Sequence, residues 1–194
     1  MQSLKRQLRK HFTGQLITLP KYKLDNNASE VIASLLFKQI PSSGKVLSFH
    51  PMLHKNEINL TAFNFDLANQ NRLVLPKVLN NSPIMQCYQV KSIDPDKGHL
   101  IKSKYGIWEP NPLKCRAIHP TEIGTVIVPG LAFQSTPIDG NYYRLGRGGG
   151  YYDRFLKLID PTIMKIGIAF KEQSYDGEIP RDSYDVPVDK VVFF

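Results

Sequence analysis

Two spacings of apolar residues alternate along the chain. In some stretches apolar residues recur every three or four positions, which is typical of a helix with one buried face. Elsewhere they form short unbroken runs between turn residues, which indicates buried strands. The first spacing predicts helices over residues 3–17, 27–40, 57–70 and 153–159. The second predicts strands over residues 45–50, 72–76, 87–90, 125–130, 164–170 and 190–194.

The ends of some elements carry their own signals. Asn27 followed by Glu30 resembles a capping pair at the start of the second helix, and Pro41 ends that helix. The stretch SIDPDKGHL (92–100) combines proline, glycine and aspartate, so it predicts a loop between strands.

The order of the elements favours one fold class. Strands that are apolar throughout and separated by helices are typical of a layered α/β protein, not of a β-sandwich or a helical bundle. The chain contains neither a linker-like stretch nor an internal repeat. We therefore expect residues 1–194 to form a single-domain three-layer α/β/α fold with a mostly parallel or mixed central sheet.

Composition narrows the setting in which the protein works. Hydrophobic residues make up 42% of the chain and charged residues 22%, which suits a soluble domain with a full core. No apolar run approaches the roughly 18 residues that a membrane span needs. The basic start of the chain lacks the apolar centre of a secretory signal, although an organelle transit peptide is an alternative. Cys87 and Cys115 lie in no metal-binding spacing, so we expect a cytoplasmic protein.

The formal net charge of +8 predicts an anionic partner. Nucleic acids, anionic lipids, nucleotides and polycarboxylates all satisfy this condition. Basic residues form no dense run beyond the first ten positions, and no RNA-binding signature accompanies them. We therefore expect neither a nucleic-acid nor a membrane partner, and an RNA-binding protein is the runner-up hypothesis.

The stretch RLGRGGGYYD (144–153) is the clearest candidate for a binding loop. It lies between a predicted strand and a predicted helix, and its glycines let several backbone N–H groups face one anion. Arg144 and Arg147 are suited to phosphate, and Asp153 to Mg²⁺. The stretch matches neither the P-loop pattern nor GxGxxG, because Tyr151 replaces the third glycine of the latter. A mobile turn is the alternative.

Six motifs in a consistent order resemble the 5-formyltetrahydrofolate cyclo-ligase family, also called methenyltetrahydrofolate synthetases. They are LKRQLR (4–9), YGIWEP (105–110), VPGLAF (128–133), RLGRGGGYYDRFL (144–156), IAFKEQ (168–173) and YDVPVD (184–189). The chain departs from the family in the ten residues QSTPIDGNYY (134–143), which are longer than the corresponding family loop. We expect this insertion to lengthen a loop beside the site.

The resemblance implies an ATP- and Mg²⁺-dependent enzyme. It would convert 5-formyltetrahydrofolate to 5,10-methenyltetrahydrofolate and release ADP and phosphate, acting as a monomer. The resemblance assigns ATP binding to two segments, with Arg9 and Arg147 as catalytic residues. The first segment comprises Lys5, Arg6, Gln7, Leu8 and Arg9. The second comprises Arg144, Leu145, Gly146, Arg147, Gly148, Gly149, Gly150, Tyr151 and Tyr152.

The resemblance also implies where folate and the metal bind. Asp153 and Asp185 correspond to the magnesium carboxylates, while Asp182 and Asp189 compete with Asp185 for that role. The residues expected to border the folate are Met52, Glu57, Trp108, Arg147, Gly148, Gly149, Gly150 and Tyr151.

Alternatives remain open at this level. Glu57 also suits the first turn of a helix, Trp108 suits the core, and Lys5 with Arg9 suits a solvated basic face. His50 and His54 are expected at the site entrance. A module that binds nucleotide or folate without turnover is a further alternative for the whole protein.

Overall fold

The computed structural model describes residues 2–79, 82–103, 106–138 and 140–194. Tyr105 of the YGIWEP motif and Asp139 of the insertion lie outside the described residues. The helices are α1 (Gln2–Ile17), α2 (Asn26–Phe37), α3 (Thr61–Asn69) and α4 (Tyr151–Leu156). The strands are β1 (Lys45–Leu47), β2 (Leu73–Val78), β3 (Met85–Gln89), β4 (Leu100–Lys102), β5 (Trp108–Pro110), β6 (Arg116–Ile118), β7 (Ile123–Val128), β8 (Ala132–Gln134), β9 (Arg144–Leu145), β10 (Met164–Ala169), β11 (Ser174–Tyr175) and β12 (Lys190–Phe193).

A seven-stranded mixed sheet organises the chain. Its strand order is β12-β10-β7-β1-β2-β3-β6. The first five strands are parallel, whereas β3 is antiparallel to β2 and to β6. Two small sheets, β11-β8-β9 and β4-β5, accompany it. The predicted α/β class and the mixed form of the sheet are confirmed.

Successive strand residues face two separate cores, as the pleat of a buried sheet requires. In β7, Ile127 belongs to the core shared with α1, α2 and α3, whereas its neighbours Val126 and Val128 belong to the core shared with α4. Val46 and Leu47 of β1 divide between the two cores in the same way. Helices therefore cover both faces of the sheet, which confirms the predicted three layers.

The start of α2 corrects one prediction. The N-cap is Asp25, whose side chain accepts a hydrogen bond from the Ala28 N–H at 2.9 Å. Asn27 and Glu30 lie inside the helix, so the predicted capping pair is wrong. The helix also ends at Phe37, before the predicted boundary at residue 40.

Short elements account for most of the other differences. α3 begins at Thr61 and not at residue 57, and β1 ends at Leu47, so residues 48–50 of the predicted strand form a loop. The predicted loop 92–100 contains a 3₁₀ turn, Pro95–Lys97. The sequence pattern missed β4, β5, β6, β8, β9 and β11, each of two or three residues.

The helices and the two cysteines bear on the expected cellular setting. None of the helices formed by the described residues combines the length and apolar character needed to cross a bilayer. Cys87 and Cys115 are both free and buried.

Packing around Gly167 on β10 gives a stability prediction. A Cβ at this position would lie 2.5 Å from Cε1 of Phe133, which is fully buried. Gly167→Ala should therefore lower the free energy of unfolding by about 1–3 kcal/mol, as overpacking of a core does. Gly14→Ala in α1 is the control, since no heavy atom lies within 4 Å of its added Cβ. It should be neutral or slightly stabilising. Urea denaturation measures both, and equal midpoints would contradict the packing argument.

Candidate active site

A cavity of about 920 Å³ opens at one edge of the large sheet. Its wall includes Phe49 and His50 after β1, and Pro129 and Gly130 after β7. These are the carboxyl ends of parallel strands, where open α/β sheets bind ligands. The remaining wall comes from α1, the loop that carries Met52 and Glu57, strands β2, β3 and β5, the glycine-rich stretch, the start of α4 and the turn at 182–185. The volume is in the range of a small-molecule site.

The structure gathers nearly all of the predicted site residues around this cavity. The lining residues among them are Lys5, Arg6, Arg9, Met52, Glu57, Trp108, Arg144, Leu145, Gly146, Arg147, Gly148, Gly149, Gly150, Tyr151, Tyr152, Asp153 and Asp185. Gln7 and Leu8 do not line it. Gln7 is exposed on α1, and Leu8 belongs to the core under that helix.

Lys5 is buried between two carboxylates. Its Nζ lies 2.8 Å from Asp182 Oδ2 and 2.6 Å from Asp185 Oδ2, and the residue is only 8% exposed. Burial by itself would lower the pKa of Lys5, but the hydrogen bonds to Asp182 and Asp185 outweigh it and raise the pKa above the usual value. Lys5 is therefore charged and held in the cavity wall, and is not part of a solvated basic face.

Arg144 and Asp153 form a second buried pair. Arg144 Nη2 donates to Asp153 Oδ1 at 2.8 Å, and the same oxygen accepts the Val186 N–H at 3.4 Å. The Nε of Arg144 and the hydroxyl of Tyr152 are buried without a hydrogen-bond partner among the described residues. Burial also raises the pKa of Tyr152, which keeps it protonated. Both residues line the cavity, so two buried donors without a partner in the described part of the chain lie in its wall.

Arg147 and Glu57 form the third pair. Arg147 Nε donates to Glu57 Oε1 at 2.9 Å, and the other carboxylate oxygen accepts the Met52 N–H at 2.9 Å. Because α3 begins at Thr61, Glu57 is not an acid in the first turn of a helix, and that alternative is excluded.

The glycine-rich stretch is held by arginines from both sides. Arg9 Nε donates to the Gly146 carbonyl at 2.9 Å, and Arg154 Nη2 donates to the Gly149 carbonyl at 2.6 Å. Gly148 has φ +103°, and a Cβ there would approach the Arg9 guanidinium at 3.5 Å. The left-handed backbone therefore requires glycine at this position, and the two arginines fix the loop.

Other cavity residues correct or extend the sequence-based expectations. Trp108 is partly buried and packs against the core, as one alternative expected. It also lines the cavity, and its contact with folate stays a prediction. His50 lines the cavity, whereas His54 is exposed outside it. Asp182, expected as a possible turn residue, lines the cavity, and so does Glu109, which was not predicted as a site residue and lies 3.0 Å from Lys77 Nζ. Asp182 lies in an irregular turn and Glu109 in a strand of three residues, so neither segment shows a period that would have identified it.

Two carboxylates in this wall have the chemistry of a magnesium site. In their contacts with other described residues, Asp153 uses only Oδ1 and Asp185 uses only Oδ2. Each therefore keeps one oxygen for a cation. The described residues contain no group of three or more His, Cys, Asp or Glu side chains that could hold a metal. Mg²⁺ commonly takes one or two carboxylates and completes its shell with phosphate oxygens and water, so this pair fits Mg²⁺ with a nucleotide.

Comparisons with known proteins agree with the motifs. The sequence model of the 5-formyltetrahydrofolate cyclo-ligase family matches residues 1–193. A 5-formyltetrahydrofolate cyclo-ligase from Mycoplasma pneumoniae is 28% identical over 179 residues, covering 91% of this chain and 88% of the relative. The mouse 5-formyltetrahydrofolate cyclo-ligase is 30% identical over 164 residues, covering 80% of this chain and 75% of the relative.

A solved structure extends the similarity to the fold. The NMR structure of Aquifex aeolicus 5,10-methenyltetrahydrofolate synthetase superimposes with a TM-score of 0.76 at 33% identity. The match covers 98% of this chain and 89% of that chain. The resemblance inferred from the six motifs is thereby confirmed.

His50 gives the site a predicted pH dependence. Burial lowers the pKa of His50, so the unfolded chain binds this proton more readily than the folded protein does. The corresponding stability is present above about pH 6.5 and is lost as the pH falls through the folded pKa. His50→Gln should therefore reduce the loss of unfolding free energy on acidification below pH 6.5, measured by urea denaturation. His54→Gln, at an exposed position, should leave the wild-type slope. Equal slopes for all three proteins would contradict the prediction.

Proposed function

The chain belongs to the 5-formyltetrahydrofolate cyclo-ligase family of enzymes, and we propose that it converts 5-formyltetrahydrofolate to 5,10-methenyltetrahydrofolate with ATP and Mg²⁺. The observation that carries this proposal is the placement of the glycine-rich stretch, three cations and their carboxylates around one cavity at the strand ends. A site of this kind suits a polyanion next to a smaller organic substrate.

The chemistry explains the need for ATP. The formyl group on N5 is an amide, so its carbon is a poor electrophile and its oxygen a poor leaving group. In the first step the formyl oxygen attacks the γ-phosphorus, the bond from that phosphorus to the bridging oxygen breaks, and ADP departs with the electron pair. In the second step N10 attacks the activated formyl carbon. The carbon–oxygen bond then breaks, phosphate leaves and the N10 proton is lost.

Phosphoryl transfer of this kind needs positioning and charge stabilisation more than a protein nucleophile. Lys5, Arg144 and Arg147 supply the charge. Arg9 lies against Gly146 and Gly148 at the start of the glycine-rich stretch, which supports a role for its guanidinium in contacting the phosphates. Because ring closure is intramolecular, the remaining task of the protein is to hold the folate bent and to exclude water.

Three of these cations are paired with carboxylates before the substrates bind, and we infer that each of them shifts toward phosphate when they do. Lys5, Arg144 and Arg147 are paired with Asp185, Asp153 and Glu57 respectively. Asp153 and Asp185 would hold Mg²⁺, which when bound neutralises and orients the phosphate oxygens. Glu57 would accept hydrogen bonds from the pterin ring, beside Met52 and Trp108. Once their carboxylates are engaged in this way, the cations are free to bind phosphate. Folate bound at Glu57 and phosphate bound at Arg147 therefore favour each other.

The remaining expectations concern the setting. We propose a single-domain monomer in the cytoplasm that acts on small molecules and not on nucleic acid. The two free cysteines suit a reducing compartment.

Direct turnover tests the proposal. Protein, 5-formyltetrahydrofolate, ATP and Mg²⁺ are mixed, and the methenyl product is followed by its near-ultraviolet absorbance. Asp153→Asn should reduce kcat by about 100-fold, because one preorganised electrostatic contact to the reacting phosphate is lost. Asp160→Asn is the control, at an exposed aspartate whose side chain hydrogen-bonds only with Thr162 among the described residues. Wild-type protein without ATP-dependent product would reject the proposed function, and full activity of Asp153→Asn would reject its magnesium role.

Glu57 provides a separate test of the folate side. Glu57→Gln should raise KM for 5-formyltetrahydrofolate by about tenfold or more, since a hydrogen bond to a charged group contributes about 1.5–3 kcal/mol. It should also weaken the mutual enhancement of folate and nucleotide binding, measured by isothermal titration of each ligand in the presence of the other. Glu30→Gln, at an exposed glutamate of α2 outside the cavity, is the control. An unchanged KM would remove Glu57 from the folate site.

A further inference from the structure

The insertion, residues 134–143, contacts the segment 181–188, which contains the Asp182–Asp185 turn of the cavity wall. The backbones of Ile138 and Asn141 exchange hydrogen bonds of 2.7 and 2.9 Å and form its turn. Gln134 N–H donates to the Tyr143 carbonyl at 3.0 Å, which holds the two ends of the insertion together. The insertion is thus a β-hairpin-like extension of the sheet formed by β8 and β9.

Two consecutive tyrosines join this insertion to residues 181–188. Tyr142 and Val188 exchange backbone hydrogen bonds of 3.0 and 2.9 Å. The Arg181 guanidinium lies 4.6 Å from the ring centroid of Tyr143 and is also paired with Glu178 at 2.7 Å. The contacts therefore lie on either side of the Asp182–Asp185 turn.

The turn lies in an irregular segment. Residues 181–187 belong to neither a helix nor a strand. Within the turn, the Asp182 N–H donates to Asp185 Oδ2 and the Asp185 N–H donates to the Asp182 carbonyl. Lys5 holds the turn on the cavity side, and a long hydrogen bond joins Val186 to Asp153. In the middle of the turn, Lys157 Nζ lies 3.5 Å from the Ser183 carbonyl and 4.7 Å from the ring centroid of Tyr184. If Lys5 and Asp153 turn to phosphate and cation, Lys157 and the contacts with the insertion are left to restrain the turn.

We propose that the insertion acts as a brace: its contacts hold the Asp182–Asp185 turn in place when Mg²⁺ and nucleotide are bound. Tyr143 and Arg181 are its positioning residues. This inference rests on the proposed function, because it takes Asp185 as a cation ligand. The backbone pairing of Tyr142 with Val188 fixes one end of the turn, and the contact between Tyr143 and Arg181 fixes the other. A carboxylate in an irregular segment needs such outer contacts to keep the geometry of a ligand.

The test measures magnesium dependence in the full chain. Tyr143→Ala, Arg181→Ala and the double variant are compared with wild type in the ring-closure assay at saturating ATP and folate. Each single variant should raise the Mg²⁺ concentration for half-maximal activity by about two- to fivefold, the range of an exposed cation–π contact. The double variant should show the effect of one change and not the product of both. KM for 5-formyltetrahydrofolate should stay within about twofold, because Met52, Glu57 and Trp108 make no described contact with the turn.

A second readout separates positioning from folding. The melting temperature of each protein without ligand should stay close to wild type, while its rise on adding Mg²⁺ with a non-hydrolysable ATP analogue should be smaller. Tyr143→Phe keeps the ring beneath the guanidinium but removes the hydroxyl that also interacts with Arg181, so its effect should be smaller than that of Tyr143→Ala. If Tyr143→Ala does not fold, Arg181→Ala removes the same contact from the other partner.

The controls are a tyrosine and an arginine outside the site. Tyr22→Ala and Arg116→Ala each remove an exposed side chain that does not line the cavity. The brace would be overturned if the Tyr143 and Arg181 variants needed the same Mg²⁺ concentration for half-maximal activity as these controls. It would also be overturned if the effects of the two single variants on that concentration were fully additive in the double variant. Wild-type protein that shows no magnesium-dependent turnover would overturn the proposed function together with the brace.

Discussion

A cavity that is to hold a polyanion must contain cations, and a cation taken out of water needs a counter-charge even before the polyanion arrives. This requirement accounts for the arrangement of the site. Lys5, Arg144 and Arg147 each face a carboxylate at hydrogen-bonding distance. The carboxylates come from three different parts of the chain, so meeting the requirement also fixes how α1, α4 and the loop after β1 lie relative to one another.

The same pairs link the binding of phosphate in the proposed reaction to the binding of folate and metal. A cation that is already paired binds phosphate only when its carboxylate finds another cation or a hydrogen-bond donor. The exchange spares the protein from burying an unpaired charge at any stage, because each partner that leaves is replaced. In the proposed reaction, the pterin would offset the cost of freeing Arg147 from Glu57. A cation at Asp185 would weaken the hold of that carboxylate on Lys5, which keeps Asp182 as a partner.

The parts of the site that lie in contiguous motifs could be predicted from the sequence. Lys5 with Arg9, the glycine-rich stretch and Asp185 all lie in such motifs. The motifs do not indicate which distant residues form ion pairs. Arg147 binds Glu57, 90 residues away, and nothing in either segment indicates the other. The predicted elements differ from the structure where a short stretch of sequence allows more than one local structure. Asp25 and Asn27 are equally good caps, and only the Ala28 N–H decides between them. Strands of two or three residues, such as β9, are too short to show a period.

The position of α1 has a consequence for biosynthesis. Lys5 reaches carboxylates 177 and 180 residues further along the chain. During translation this helix leaves the ribosome long before Asp182 and Asp185 are synthesised. In that interval the basic, amphipathic helix lacks the two carboxylates that pair with Lys5 in the folded protein. A nascent chain that stops short of Asp182 lacks β12 and two residues of the cavity wall. Completion of the cavity is therefore coupled to synthesis of the chain as far as Asp185.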